Sequence, residues 1–217
     1  MKAAVLISGG GSNLKALIDA IGTGRLDLEI VVVVSNREDA GGVDFAKAAA
    51  IPVSVISHTV FKERQEHDAA VADVLQGAGP QLIILAGYMR ILGEAFTRQF
   101  HGRLINLHPS LLPLHKGLDT YTRVLQAGDR EYGASIHFVN AGLDAGPVIT
   151  QIRLPVLADD DARSLQSRLA PLEHKLLMAT VDLFCKHKIR YENGQVIYKN
   201  RVLTQALQMN QKGTFVD

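Results

Sequence analysis

Cysteine is nearly missing from this chain: Cys185 is the only one. A single thiol excludes an internal disulfide and lacks the spaced partners of a zinc site, so a reducing cytoplasm suits the sequence and no metal chemistry is expected. An excess of either charge is missing too, with 23 Lys+Arg against 22 Asp+Glu. No field from the net charge would draw such a chain to nucleic acid or to an anionic membrane. Long apolar runs are also absent. The stretch from Met1 to Ser8 is far too short for a signal-peptide core, and nothing reaches the roughly 20 apolar residues of a transmembrane helix. It reads as a first strand, and the protein as soluble. Internal repeats and low-complexity segments are lacking. What the chain does have is apolar substance: 47% hydrophobic residues over 217 positions supply a sizeable core. One domain over residues 1–217 is expected.

The apolar runs alternate with helical patterns. Ala3 to Ile7 is followed by Ser8-Gly9-Gly10-Gly11-Ser12-Asn13 and by a helical spacing from Leu14 to Ile21, which reads as strand, glycine loop, helix. Backbone N–H groups in such a loop, with the positive end of the helix behind them, suit a phosphate. The loop is neither G-x-G-x-x-G nor a P-loop, so one phosphate fits better than a dinucleotide. The alternative is a tight turn with Ser12 or Asn13 as N-cap. Further strands are expected at Glu29–Ser35, Pro52–Ile56, Gln81–Gly87 and Leu104–Leu107, with helices over about 39–50, Phe61–Gln76 and Gly93–Gln99. Arg64, Glu66, His67 and Asp68 are placed on the wet side of the second of these helices. The β-branched run Ile30 to Val34 suits a central parallel strand. The fold class expected is therefore α/β: a Rossmann-like, mostly parallel sheet with helices on both faces. In such sheets ligands bind beyond the carboxyl ends of the strands.

One of those ends is chemically loaded. Leu104-Ile105-Asn106-Leu107-His108-Pro109-Ser110-Leu111-Leu112-Pro113 carries a carboxamide and an imidazole two residues apart on one strand, hence on one face, before the prolines break it. Asn106 and His108 there offer a hydrogen-bond donor and a switchable acid to a carbonyl group. Downstream, a helix is expected over Leu118–Ala127 and a strand over Gly133–Val139, in which His137 reads as a packed residue rather than a catalyst. Asp144 sits in a turn-rich loop, Asn140 to Pro147, where a carboxylate by itself is usually only solvated. A strand follows at Val148–Val156. Three aspartates within Leu157–Asp161 fit the acidic start of a long helix with the stripe Leu165, Leu169, Leu172, Leu176 and Leu183, and with Pro171 as a candidate kink. Tyr191 to Val196 reads as a hairpin with an Asn-Gly turn, and residues 205–217 show no pattern. This C-terminal part is expected as a mixed or antiparallel extension of the sheet.

Taken together, Leu6 to Leu14, Leu85 to Leu92, the Asn-x-His-Pro-Ser-Leu-Leu-Pro stretch and Leu143-Asp144-x-Gly146-Pro147-Val148 resemble the glycinamide ribonucleotide formyltransferase family, folate-dependent enzymes of purine biosynthesis. The resemblance covers nearly the whole chain. It implies transfer of a formyl group from 10-formyltetrahydrofolate, a cosubstrate, to the amine of 5'-phosphoribosylglycinamide, with no metal. It implies a catalytic set of Asn106, His108 and Asp144, with Gly11, Ser12 and Asn13 on the ribonucleotide phosphate and Glu173 at its amine end. Arg64, Met89, Arg90, Ile91, Leu92, Asn140, Ala141, Gly142 and Leu143 fall on the folate side. Residues 1–100 would then be the phosphate-binding half and 101–217 the catalytic and folate-binding half. The family's cis peptide falls between Leu112 and Pro113. Two positions depart from the family pattern: Asp119, where members commonly have His, and Ala145, where they have Gly. Small molecules are the partners expected, with the protein a monomer or homodimer.

The chemistry asks for an oxyanion stabiliser and a proton carrier. Asn106 and a protonated His108 can donate to the oxygen of a tetrahedral intermediate, and a nearby carboxylate, Asp144, is expected to hold the imidazole charged. Related chemistries keep the same set. Formyl-folate hydrolases usually add an N-terminal regulatory domain, whereas this chain begins at the first strand. Methionyl-tRNA formyltransferases add a basic RNA-binding domain, and sugar-nucleotide formyltransferases differ at the phosphate. A catalytically idle nucleotide-binding module is the alternative from another class.

Overall fold

The computed structural model describes residues 1–216. Two compact units make it up, Met1–Asn106 with Val139–Ala141, and Leu107–Phe138 with Gly142 onward. In the first unit the chain runs β1 (Lys2–Ile7), α1 (Ser12–Gly22), β2 (Glu29–Ser35), α2 (Gly42–Ala48), β3 (Val53–Val55), α3 (Arg64–Ala78), β4 (Leu82–Leu85), α4 (Glu94–Gln99) and the start of β5 (Leu104–His108). All five strands are parallel, in the order β5-β4-β1-β2-β3. The strands are apolar throughout because helices cover them: Ala4, Leu6, Val32, Val34, Ile83, Leu85 and Leu104 share one buried cluster with Val71, Leu75, Phe96 and Phe100 of the helices and their ends. Each helix removes its apolar stripe from water, and the alternation in the sequence is the trace of that.

Helix α3 departs from expectation. Residues His58–Val60 form a short 3-10 turn, and the helix starts at Arg64, capped by a reciprocal box between Glu63 and Glu66. Arg64 and Glu66 are exposed, but His67 and Asp68, expected on the wet side, are 1% and 6% exposed. Their burial has local causes. The His67 imidazole donates to the carbonyl of Ile56 at 3.1 Å and meets the Phe61 ring edge-on, while Asp68 Oδ2 accepts from Gly93 N at 2.7 Å. Charge alone does not place a residue in solvent when the backbone supplies partners.

The second unit holds α5 (Thr120–Ala127), β6 (Glu131–Phe138), β7 (Val148–Pro155), α6 (Ala162–Cys185), β8 (Ile189–Glu192), β9 (Gln195–Tyr198), β10 (Arg201–Val202), β11 (Leu207–Met209) and β12 (Phe215–Val216). β6 and β7 are antiparallel, β11 lies parallel to β7, and β12 closes the edge antiparallel. β8, β9 and β10 make a separate antiparallel sheet around the turn Asn193-Gly194, whose φ values of 49° and 82° suit that dipeptide. Strands thus stand within residues 205–217, where no pattern was legible. α6 opens on Asp161, whose carboxylate accepts from Ser164 N at 2.7 Å while Ser164 Oγ accepts from Asp161 N at 2.9 Å. All five leucines of its stripe are buried, and Pro171 lies inside the helix without ending it. The α/β class, with its mostly parallel pairing and a mixed C-terminal part, is that read from the sequence. Among the described residues no helix is long and apolar enough to cross a membrane.

Candidate active site

In the first unit the glycine loop connects β1 to α1. Gly11 takes φ 74° and is the N-cap of α1, so neither Ser12 nor Asn13 caps the helix and no side chain occupies its first N–H groups. Neither side chain acts as the N-cap that the turn reading expected, and the first N–H groups of the helix are open to an anion. Gly11 has a second duty. A Cβ there would stand 2.3 Å from Gly42 Cα, so this glycine also permits the close approach of α2. Gly9 and Gly10 are exposed and would meet nothing within 4 Å. Asn13 is half-buried, its Oδ1 inside and without a hydrogen-bond partner among the described residues.

The residues of this unit that the resemblance puts on the folate side are of two kinds. Met89 and Ile91 are exposed large apolar side chains, at 65% and 55%. Met89 N donates to Ser8 Oγ at 2.7 Å, which ties the segment to the end of β1. Arg64 reaches the same segment, its Nε and Nη2 passing 3.9 Å from where a Cβ on Gly93 would lie. Arg90 is half-buried, whereas Leu92 is buried within the core cluster, so its side chain is packing. Asn140 and Ala141 are exposed, and Asn106 is half-buried on β5.

The second unit brings His108 and Asp144 together. His108 ends β5 and is 5% exposed. Its Nε2–H donates to the carbonyl of His115 at 3.0 Å, which leaves Nδ1 facing Asp144 Oδ2 at 3.5 Å. Asp144 sits at φ 43° in its loop, and its Oδ2 accepts from Gly117 N at 2.8 Å. The loop carboxylate is therefore held rather than solvated. A third ionisable group joins it: His137 Nε2 lies 3.5 Å from Asp144 Oδ1, while His137 Nδ1–H donates to the carbonyl of Phe138 at 2.8 Å. His137 is the packed strand residue expected, 2% exposed, and also part of the charge cluster. Period two along β6 sets it on the face of Ser135, and a register shift between Ile136 and His137 re-aims it, a bulge that no local sequence pattern announces.

The turn between Pro109 and Pro113 is secured beneath. Ser135 Oγ accepts from Leu112 N and Gln151 Nε2 and donates to the carbonyl of Ser110, and Gln151 Nε2 also donates to the carbonyl of Leu112. The Leu112–Pro113 peptide is cis.

These surroundings set the charges. Burial pulls the His108 imidazole below its ordinary range; the His115 carbonyl and Asp144 pull it back, while His137 and Arg123 push it further down. The balance is a neutral His108 at neutral pH, which corrects the expectation that Asp144 keeps it charged: desolvation of a buried ring outweighs one carboxylate at 3.5 Å. Burial acts to raise Asp144, and the His137 bond, the Gly117 N–H and the His108 charge overcome it, so the carboxyl drops to about 2. Glu173, half-buried on α6, goes the other way, with burial alone raising it to about 7. Tyr121 is raised by burial and by the Glu173 charge, which places the two side chains in one environment. Gly142 and Leu143 are exposed, with Leu143 Cδ2 3.5 Å from where a Cβ on Gly117 would be. Asp119 is exposed, at φ 56° before α5, without a side-chain capping bond, and Ala145 is exposed.

A carboxylate within 3.5 Å of a ring nitrogen of each of two buried imidazoles is placed to exchange protons with them. Residues 1–181 match the family model for formyl transferases, and the chain belongs to that family, whose chemistry is formyl transfer. The chain is 38% identical over 205 residues to phosphoribosylglycinamide formyltransferase of Haemophilus influenzae, covering 94% of this chain and 97% of that one. The protein of the same name from Escherichia coli is 39% identical over 207 residues, covering 95% and 98%. Among solved structures, that of phosphoribosylglycinamide formyltransferase from Coxiella burnetii in complex with CHES superposes with a TM-score of 0.90 at 42% identity, over 94% of this chain and 96% of that one.

Proposed function

We propose that this chain transfers the formyl group of 10-formyltetrahydrofolate to the amine of 5'-phosphoribosylglycinamide, giving N-formyl product and tetrahydrofolate in purine biosynthesis. The observation that carries the reading is the Asp144 carboxylate set 3.5 Å from a ring nitrogen of both His108 and His137, in a formyl transferase whose relatives bear that name. The amine nitrogen attacks the formyl carbon, and the carbonyl electrons move to oxygen. The amide N–H of Asn106 stabilises that oxyanion. His108, neutral at rest, takes up a proton as negative charge develops beside it; with Nε2 spent on the His115 carbonyl, Nδ1 is the nitrogen whose protonation changes. Asp144 stabilises the cation so formed. The proton that His108 takes up is the one the attacking nitrogen gives away. As the carbon–N10 bond breaks, His108 passes it to N10 of the folate, which leaves with the electron pair of that bond, so the imidazole ends neutral again.

The ribonucleotide phosphate is assigned to the N–H groups at Gly11, Ser12 and Asn13, and the amine end to Glu173. Arg64, Met89, Arg90, Ile91 and the backbone of Leu92 are assigned to the folate with Asn140, Ala141, Gly142 and Leu143, where exposed apolar side chains suit an aromatic ligand. The enzyme acts on small molecules, in the cytoplasm, as a monomer or homodimer. The test follows conversion of 10-formyltetrahydrofolate to tetrahydrofolate by absorbance, with and without the ribonucleotide, and with His108→Ala as blank. Conversion that needs the ribonucleotide and vanishes in the blank is expected. Conversion without it would make the protein a deformylase, and none in either case would leave a binding module.

A further inference from the structure

The groups that hold the catalytic pair are themselves one short segment. Between Leu114 and Gly117 the bonded backbone groups fix the loop or the pair. Ser110 Oγ donates to the carbonyl of Leu114 at 2.7 Å, His108 Nε2 to that of His115 at 3.0 Å, and Arg123 to that of Lys116, while Gly117 N donates to Asp144 Oδ2 at 2.8 Å. One end of the segment thus grips the imidazole and the other grips the carboxylate. The segment is bent to do so: His115 and Gly117 take φ values of 49° and 81°. Glycine tolerates that conformation freely, but for His115 it is strained and must be held from outside. What holds it is the imidazole of His115, whose Nε2–H meets Asp129 Oδ2 at 2.6 Å. That bond spans 14 residues, and both side chains are largely out of water, at 13% and 29% exposed.

We propose that the His115–Asp129 pair is the positioning device of the active site: it holds the His115 carbonyl in the strained orientation that fixes His108 as its Nε2–H tautomer and keeps Nδ1 for the reaction. Neither residue touches substrate in this scheme; both act through His108. The inference rests on the proposed role of His108 and adds to it the part that sets the tautomer. The groups facing His108 besides the His115 carbonyl are Asp144 on its loop, His137 on β6 and Arg123 on α5. With the carbonyl released, His108 loses one of the two interactions that favour its cation. Nε2–H and Nδ1–H forms then compete, and a fraction of the enzyme carries its proton on the wrong nitrogen.

The experiment uses the full chain, labelled with nitrogen-15, and reads the His108 ring by long-range nitrogen–proton correlation across a pH series, next to steady-state kinetics. In the unaltered protein the ring is expected to be neutral and protonated at Nε2. Asp129→Ala and His115→Ala should each give a mixed tautomer, a lower titration midpoint for His108, and a kcat lower by roughly tenfold to a hundredfold, as expected for a misaligned group. KM for both substrates should stay within about twofold, because neither residue is assigned to binding. His115→Gln keeps an N–H within reach of Asp129 and should restore the Nε2–H signal and most of kcat. An Asp129→Ala protein with the unaltered tautomer, midpoint and kcat overturns the proposal. So does a His115→Gln protein as impaired as His115→Ala. The nitrogen signals do not depend on turnover, so a fully active His108→Ala would overturn the role of His108 while leaving the clamp itself readable.

Discussion

The two units meet ligand chemistry with opposite materials. In the first, the candidate contacts are backbone N–H groups at an uncapped helix and exposed side chains such as Met89 and Ile91. In the second, they are buried ionisable side chains whose remaining polar atoms are bonded to backbone. The difference suits the two proposed roles. Holding a phosphate needs oriented dipoles and open space, which glycine supplies without loss of packing. Moving a proton needs groups whose protonation is set by their surroundings, and burial together with close partners sets it. The first kind of site is a property of a turn, the second of an environment.

Substitutions that treat the two units alike sharpen this contrast. Asp144→Asn keeps an oxygen for the Gly117 N–H but removes the charge that His108 and His137 face; turnover should fall by roughly a thousandfold, within the range for acid–base groups, with ribonucleotide affinity nearly intact. Single-turnover kinetics with a separate binding titration checks both halves of that statement. In the first unit, Gly10→Asp introduces a carboxylate where a Cβ meets nothing, so folding should persist while ribonucleotide binding weakens by roughly tenfold or more from repulsion at the helix end. Its kcat at saturation should stay close to that of the unaltered enzyme, and calorimetric titration gives the affinity. Gly11 cannot serve for this purpose, because any side chain there collides with the backbone of Gly42.

Glu173 gives the smallest effect and the most informative sign. Burial raises its carboxyl from 4.5 to about 7, so between those pH values the folded chain holds a proton that the unfolded chain has released. Stability contributed by this group is therefore present in full below pH 4.5 and lost as pH rises through 7. Glu173→Gln should accordingly raise stability at pH 8 by roughly 1–3 kcal/mol and leave it unchanged near pH 4. Thermal unfolding across that range decides the matter, and an equal shift at both pH values would mean that Gln acts through packing alone.

Much of this was legible from residues alone. The strand–glycine loop–helix opening, the β-α alternation, the leucine stripe of α6 and the Asn193-Gly194 hairpin are local patterns with local causes. Other features had no local sign. Asp144 looked like a solvated loop residue because its partners, Gly117, His108 and His137, lie 27, 36 and 7 positions away in the chain. His67 and Asp68 looked wet because their satisfying groups, the carbonyl of Ile56 and the N–H of Gly93, belong to other segments. The His115–Asp129 pair left no pattern at all.

The sequence by itself determined the α/β order of the elements, the glycine loop and the placing of Asn106 and His108 on one strand, since periodicity, turn chemistry and side-chain direction act over a few residues. Only the tertiary structure decided the charge states: that His108 rests neutral, that Asp144 stays ionised down to about 2 and that Glu173 titrates near 7. A pKa is set by how much water is removed and by which groups stand within a few ångströms, and folding alone brings distant residues to that distance.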